Sequence, residues 1–290
     1  MIRSIATSAL LAALRVLSSL PWSWQRRLGA GLGLIALRLQ KRRRRIAKIN
    51  IDLCFPELDE AARKVMLHAH FKALGTGLME LGMAWYASDQ RIRRIGRVSG
   101  LDHVKTLQAR GQGILLFAGH FTCLDLASRV LGTQFEFVGV WRALGNPRFD
   151  ASVKKGRLRG VSRLIEKSSF RHALKALKAG EALFLAVDQA DTTKTAIEAP
   201  FFEQPAMTIS SPQRLARASA CALVPMRYSR DRDGMIHVTL EDALENFEEL
   251  QPEHAAALLN ATIEAQVKDN PEQYYWVHRR FKKPGTTVYD

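Results

Sequence analysis

Apolar side chains follow two rhythms along this chain. Short continuous runs at 114–118, 135–140, 182–187, 222–228 and 236–240 are rich in Leu, Ile, Val, Phe and Ala and are bounded by turn residues. Runs of that length and makeup predict strands. Between and around them, apolar residues recur at three- and four-residue spacing over 101–110, 122–132, 147–159, 170–179, 210–219 and 253–269, which predicts helices. A longer helical pattern covers 59–86, with Asp59 placed to cap its start. Strands alternating with helices predict an α/β fold with a central sheet. No repeat and no low-complexity linker interrupts the chain after residue 50.

The first fifty residues follow a different pattern. Residues 5–20 are apolar or small except for Arg15, with Leu10, Leu11, Leu14 and Leu17 at helical spacing. Pro21, Trp22 and Trp24 follow, then a second apolar run at 28–39 broken only by Arg38, then Lys41-Arg42-Arg43-Arg44-Arg45. Tryptophans beside apolar helices, followed by a polybasic cluster, predict a helical anchor that dips into one leaflet beside anionic headgroups. The expected division is 1–45 as membrane-associated anchor and 46–290 as catalytic domain. A cleavable signal peptide fits less well, because no A-x-A site follows and Arg15 interrupts the apolar run. The positive-inside rule places the cluster and the domain behind it on the cytoplasmic side of the membrane.

Charge sharpens this picture. The chain has 290 residues and a net charge of +15, yet residues 1–50 contain eleven Lys or Arg and no Asp or Glu. The excess is therefore concentrated in an otherwise apolar segment, and nucleic acid is not an expected partner. The longest stretch free of Asp, Glu, Lys and Arg is fourteen residues (111–124), too short for a confident transmembrane helix. The three cysteines, Cys54, Cys123 and Cys221, form no C-x-x-C pair, which excludes a disulfide scaffold and a cysteine-rich zinc module.

Chemistry concentrates at strand ends. There is no G-x-S-x-G, H-E-x-x-H or G-x-x-x-x-G-K-[ST] motif. Gly29, Gly31 and Gly33 sit in the second apolar run without a preceding strand, so close helix packing explains them better than a phosphate loop does. His68 and His70 face different sides of a helix, which argues against a metal site. At Ala118-Gly119-His120-Phe-Thr-Cys123-Leu-Asp125, by contrast, a strand ends, a glycine turns the chain, and a histidine emerges where open α/β sheets bind ligands. Asp125, in the first turns of the next helix, is expected to fold back and orient the imidazole, making His120 a general base. Cys123 is the rival nucleophile, on an inward helical phase among apolar neighbours. The spacing alone also fits a turn histidine beside a helix-start aspartate.

This segment resembles the H-x-x-x-x-[DE] block of glycerolipid and lipid A acyltransferases. Four further blocks resemble the late acyltransferases of lipid A biosynthesis, in that family's order. They are Asn50-Ile-Asp-Leu-Cys54-Phe-Pro-Glu-Leu58; Val140-Trp-Arg142 with Asn146-Pro147; Asp188-Gln189 with Pro200-Phe-Phe202 and Pro205-Ala206-Met-Thr208; and Pro271-Glu-Gln-Tyr-Tyr-Trp276-Val-His278-Arg279-Arg280-Phe281-Lys282. Glu203 stands where that family mostly has Gly. The resemblance implies a mixed central sheet flanked by helices. It also implies transfer of a fatty acyl group from acyl carrier protein to a hydroxyl of a phosphorylated lipid A precursor, with no cofactor, no metal and no covalent acyl-enzyme. Arg142, Asn146, Arg159 and Asp188 become candidate substrate-binding residues, the arginines because guanidinium forks suit phosphate. Asp188 is expected either to support the site or to cap a helix. The segment from Arg142 to Arg163, with seven basic residues and only Asp150 as an acid, is expected to steer anionic substrates. Two other readings stay open: the same chemistry on another lipid, and a non-enzymatic membrane-surface binder in which His120 and Asp125 are incidental.

Overall fold

The computed structural model describes residues 2–290 apart from 284 and 286. Its elements are α1 (Ile2–Leu17), α2 (Trp22–Leu39), α3 (Lys41–Cys54), α4 (Glu60–Tyr86), α5 (Asp89–Ile95), β1 (Gly96–Ser99), α6 (Leu101–Ala109), β2 (Ile114–Ala118), α7 (Leu124–Leu131), β3 (Val138–Trp141), α8 (Pro147–Arg157), β4 (Leu164–Glu166), α9 (Phe170–Lys178), β5 (Ala182–Ala186), β6 (Ile197–Phe201), β7 (Gln204–Thr208), α10 (Ser211–Ser219), β8 (Ala222–Arg230), β9 (Ile236–Leu240) and α11 (Pro252–Asp269).

Seven strands form a mixed sheet in the order β1-β9-β8-β2-β5-β3-β4. β8, β2, β5, β3 and β4 run parallel; β9 is antiparallel to β8 and carries β1 parallel to itself. The five predicted strands are all present. β2 is buried at every position, which is why it reads as one apolar run. Four strands give no such signal. β1 and β4 are short edge strands, and β6 and β7 form a separate antiparallel hairpin. Phe202 and Glu203, at the turn of that hairpin, both have positive φ, the backbone of a type I′ turn that favours glycine.

The predicted helices match α4 and α6–α11 to within two residues at each end. Asp59 caps α4 by accepting from Ala62 N at 2.7 Å. α3 and α5 were not anticipated. The polybasic cluster forms the first turn of α3, whose other face buries Ile46, Ala47, Ile51 and Cys54. The division expected at residue 45 therefore falls inside a helix.

α2 shows why its glycines are there. A Cβ at Gly33 would lie 1.9 Å from Phe71 O, and one at Gly29 would lie 2.7 Å from Thr76 Cα, both on α4. A Cβ at Gly75 of α4 would in turn lie 2.0 Å from Gly29 O. Gly31 points to open space. On the rest of α2, Trp24, Leu28, Leu32, Ile35 and Leu39 are exposed, Leu39 at 75%. No helix among the described residues is long and apolar enough to cross a membrane.

Candidate active site

β2 and β5 are parallel neighbours with Ala118 level with Ala186. Two residues further along each strand, His120 and Asp188 therefore emerge side by side at the carboxyl edge. Asp188 Oδ1 lies 2.5 Å from His120 Nδ1, and its Oδ2 accepts from His120 N at 2.8 Å. Burial alone would raise the Asp188 carboxyl. The His120 charge and both hydrogen bonds outweigh it, and the carboxyl is held well below the usual carboxylate range. An ionised Asp188 can only accept, so Nδ1 carries a proton, and in the neutral imidazole Nε2 is then the nitrogen with the free lone pair. Gln189 Nε2 lies 3.3 Å from that atom. The His120 side chain is 25% exposed and that of Asp188 is 4% exposed, so one end of the pair is wet and the other dry.

The turn is braced from three directions. Tyr228 donates its hydroxyl to Gly119 O at 2.5 Å. A Cβ at Gly119 would meet Ile263 Cγ2 at 2.8 Å and Asp188 Oδ2 at 3.4 Å, so the glycine serves close approach rather than a left-handed backbone. The segment 273–275 runs alongside: Phe121 bridges Tyr274, Tyr275 N donates to His120 O at 2.9 Å, and Thr122 N donates to Gln273 O at 2.8 Å. Arg280 is buried and donates to Met207 O, Thr208 Oγ1 and Asn260 Oδ1 at 2.9 to 3.1 Å. Its charge also helps to keep Asp188 ionised.

Asp125 does not make the expected bond to the imidazole. It lies in the first turn of α7 and accepts from Arg157 of α8, at 2.8 Å from Nε and 3.3 Å from Nη2. The reason is geometric: a residue one helical turn on from the strand end projects toward α8, while Asp188 already occupies the Nδ1 side. His120, Asp125, Arg157 and Gln189 line one cavity, together with Trp85, Phe137, Val140, Trp141, Leu144 and Leu185. Arg142 is exposed at its rim. Asn146 is elsewhere: it caps α8 by accepting from Phe149 N at 3.2 Å and reaches Thr7 Oγ1 at 3.2 Å. Arg159 donates to Trp85 O at 3.2 Å and Ala87 O at 2.8 Å, closing the end of α4. The basic run is thus dispersed, since Arg163 also pairs with Glu181. Cys123 is buried, and burial pushes its thiol far up, away from a nucleophilic thiolate. His70, buried with Nδ1 at 3.1 Å from Glu272 O, is lowered to about 4 by desolvation and remains a neutral core group. Among the described residues, no group of three or more His, Cys, Asp or Glu is placed to hold a metal ion.

A paired histidine and carboxylate at a sheet edge, with an apolar cavity beside Nε2, suit proton abstraction from a group carried on an aliphatic substrate. Residues 1–283 match the family described as bacterial lipid A biosynthesis acyltransferase. The chain belongs to that family. It is 38% identical over 274 residues to the lipid A biosynthesis lauroyltransferase of Escherichia coli K12, covering 94% of this chain and 90% of that one. It is 34% identical to the palmitoleoyltransferase of the same strain (88% and 84% covered) and 34% identical to a lipid A biosynthesis acyltransferase of Haemophilus influenzae (94% and 88% covered). The protein is an acyltransferase of lipid A biosynthesis.

His120 and Asp188 were both expected at the site, but the histidine pairs with Asp188 and not with Asp125. Gln189 had no expected role, and Arg157 was expected only to share in steering anionic substrates. Gln189 stood inside a quoted motif beside Asp188, and Arg157 within the basic run, so the signal was present without the geometry to interpret it.

Proposed function

We propose that this acyltransferase moves a fatty acyl group from acyl carrier protein to the 3-hydroxyl of an acyl chain on a phosphorylated lipid A precursor, with His120 as general base and Asp188 as its orienting partner. The observation that carries the reading is the Nδ1 contact to an ionised Asp188, which leaves Nε2 facing the cavity. The substrate hydroxyl takes the position now met by the Gln189 amide and gives its proton to Nε2 as its oxygen attacks the thioester carbonyl. The tetrahedral oxyanion collapses, the C–S bond breaks, and the departing thiolate receives the proton from the imidazolium. Arg157, which donates two hydrogen bonds to Asp125, is one of the cations lining the same cavity and would stabilise the oxyanion. The apolar wall of Phe137, Val140, Trp141 and Leu144 suits the acyl chain.

The test is transfer from a radiolabelled acyl carrier protein thioester to purified lipid A precursor, with product analysis by mass spectrometry. A product acylated at a secondary hydroxyl, lost with His120→Ala, is expected. Transfer only to lysophospholipid would move the acceptor class. The exposed stripe Trp24, Leu28, Leu32, Ile35 and Leu39 would lie in the cytoplasmic leaflet of the inner membrane, with the basic cluster against its headgroups. Trp24→Ser with Leu32→Ser and Ile35→Ser, all exposed, should release the protein from anionic vesicles in flotation without changing its melting temperature. Undiminished flotation would relocate the membrane contact.

A further inference from the structure

The basic cluster of α3 is divided between two faces. Lys41, Arg44, Arg45 and Lys48 turn toward a groove shared with α2 and α4, where Asp52 accepts from Lys48. Arg42 and Arg43 turn the other way and meet the C-terminal segment. There they line a recess with Thr192, His278, Arg279 and Lys282. Among the described residues no acid lines this recess, and none of its four cations is ion-paired.

The recess is built rather than incidental. Its two walls are far apart in the chain and are fastened by Asn50, which is buried and donates to Trp276 O at 2.6 Å and His278 O at 2.7 Å. The hydroxyl of Tyr289 donates to Asn50 Oδ1. Arg43 is fixed by donation to Val277 O at 2.8 Å, and the Arg279 guanidinium lies over the Tyr289 ring. Both His278 Nε2 and Arg279 Nε are buried and without a hydrogen-bond partner among the described residues. An unpaired Arg279 donor, a ring nitrogen able to donate in one tautomer, and several cations with no acid among them suit an anionic ligand.

Its position narrows the anion. Ala190 also lines the recess, one residue beyond Gln189, which touches His120 Nε2. His120 and Gln189 line the apolar cavity, and the next residue, Ala190, lines the recess, so the two are neighbours across the Gln189–Ala190 backbone. Arg42 and Arg43 also follow directly on α2, whose exposed apolar stripe ends at Leu39. A ligand seated here would stand at the level of a lipid headgroup, one residue along the chain from a residue that touches His120.

We propose that the recess formed by Arg42, Arg43, Arg279 and Lys282 is the subsite for a phosphate of the lipid acceptor, and that it sets the acceptor hydroxyl against His120. The proposal rests on the phosphorylated acceptor named above. It moves the phosphate contact away from Arg159, whose donors serve α4.

The test compares kcat/KM on a phosphorylated lipid A precursor with that on the same lipid after phosphatase treatment, using full-length protein in detergent micelles. The variants are Arg42→Glu with Lys282→Glu, both exposed, and Arg279→Ala. Each should lower the phosphorylated-to-dephosphorylated ratio about tenfold or more, the loss of one charge-assisted contact. Arg171→Glu with Lys175→Glu on α9 changes net charge as much as the Arg42 and Lys282 pair and should leave the ratio at its wild-type value. Four results overturn the proposal. An unchanged ratio in the recess variants, with wild-type preference intact, puts the phosphate elsewhere. An equal fall with the α9 pair makes the effect one of net charge. A rise in KM confined to the carrier protein thioester makes the recess a site for the donor's phosphodiester. A wild-type ratio near one removes the phosphorylated acceptor itself, which separates failure of that reading from failure of the subsite.

Discussion

Asp188 and Asp125 stand near one cavity and are held in opposite ways. Asp188 ends a buried strand, is almost wholly dry, and has both oxygens on His120. Asp125 sits on a helix, is partly exposed, and has both oxygens on Arg157. A buried carboxylate bonded to an imidazole fixes a tautomer and stabilises the imidazolium. A partly exposed carboxylate bonded to a guanidinium fixes a cation. The lesson is that closeness in sequence and closeness in register are different things. Five residues along the chain lead Asp125 to a neighbouring helix, whereas 68 residues bring Asp188 back level with His120 on the adjoining parallel strand.

Substitutions can break this contrast, the largest expected effect being at the histidine. His120→Ala should lower kcat by about 10²–10⁴-fold, the usual share of general acid–base catalysis, with an unchanged circular dichroism spectrum. Substantial residual turnover would end the general-base role. Asp188→Asn should follow closely, at about 10³-fold, because an amide tolerates the wrong imidazole tautomer. It should also alter acid stability. The Asp188 carboxyl is lower in the folded protein than its unfolded value near 3.9, so its stabilisation is present above that pH and is lost as pH falls below it. Urea melts of the Asp188→Asn protein should therefore decline less steeply below about pH 4 than those of the wild type.

Asp125→Asn should cost less, about tenfold in kcat, by loosening Arg157. A double-mutant cycle with Arg157→Gln should show coupling of about 1–3 kcal/mol in the activation free energy. If Asp125→Asn were as inactive as His120→Ala, with no coupling to Arg157, the division of labour between the two acids would be wrong. Cys123→Ala should have the smallest effect, leaving kcat nearly unchanged while lowering the melting temperature, since it removes a buried group. A collapse of kcat with normal stability would restore the covalent alternative.

Legibility differed between elements for physical reasons. β2, β5, β8 and β9 could be read because sheet burial demands apolar side chains, and α4 could be read from its period and its Asp59 cap. β1 and β4 are edge strands of three or four residues, too short to leave a pattern. The hairpin β6–β7 carries prolines and polar residues because little of it faces the main core. α3 was hidden by its own charge: five basic residues masked a helix whose buried side is only a narrow stripe.

The sequence by itself determined that an α/β domain follows a basic, apolar amino terminus, and that His120 stands at a strand's carboxyl end. Those properties are local: burial writes itself into a run of side chains, and a glycine before a histidine marks a turn. Ordered motifs also carried the family. The partner of His120, the dispersal of the basic run, and the meeting of α3 with residues 276–282 were decided only by the tertiary structure. Strand order and register are set by long-range pairing, and nothing local to Asp188 says which strand will lie beside it. The same holds for Arg42 and Arg279, 237 positions apart, which share one recess because the buried Asn50 ties their backbones together.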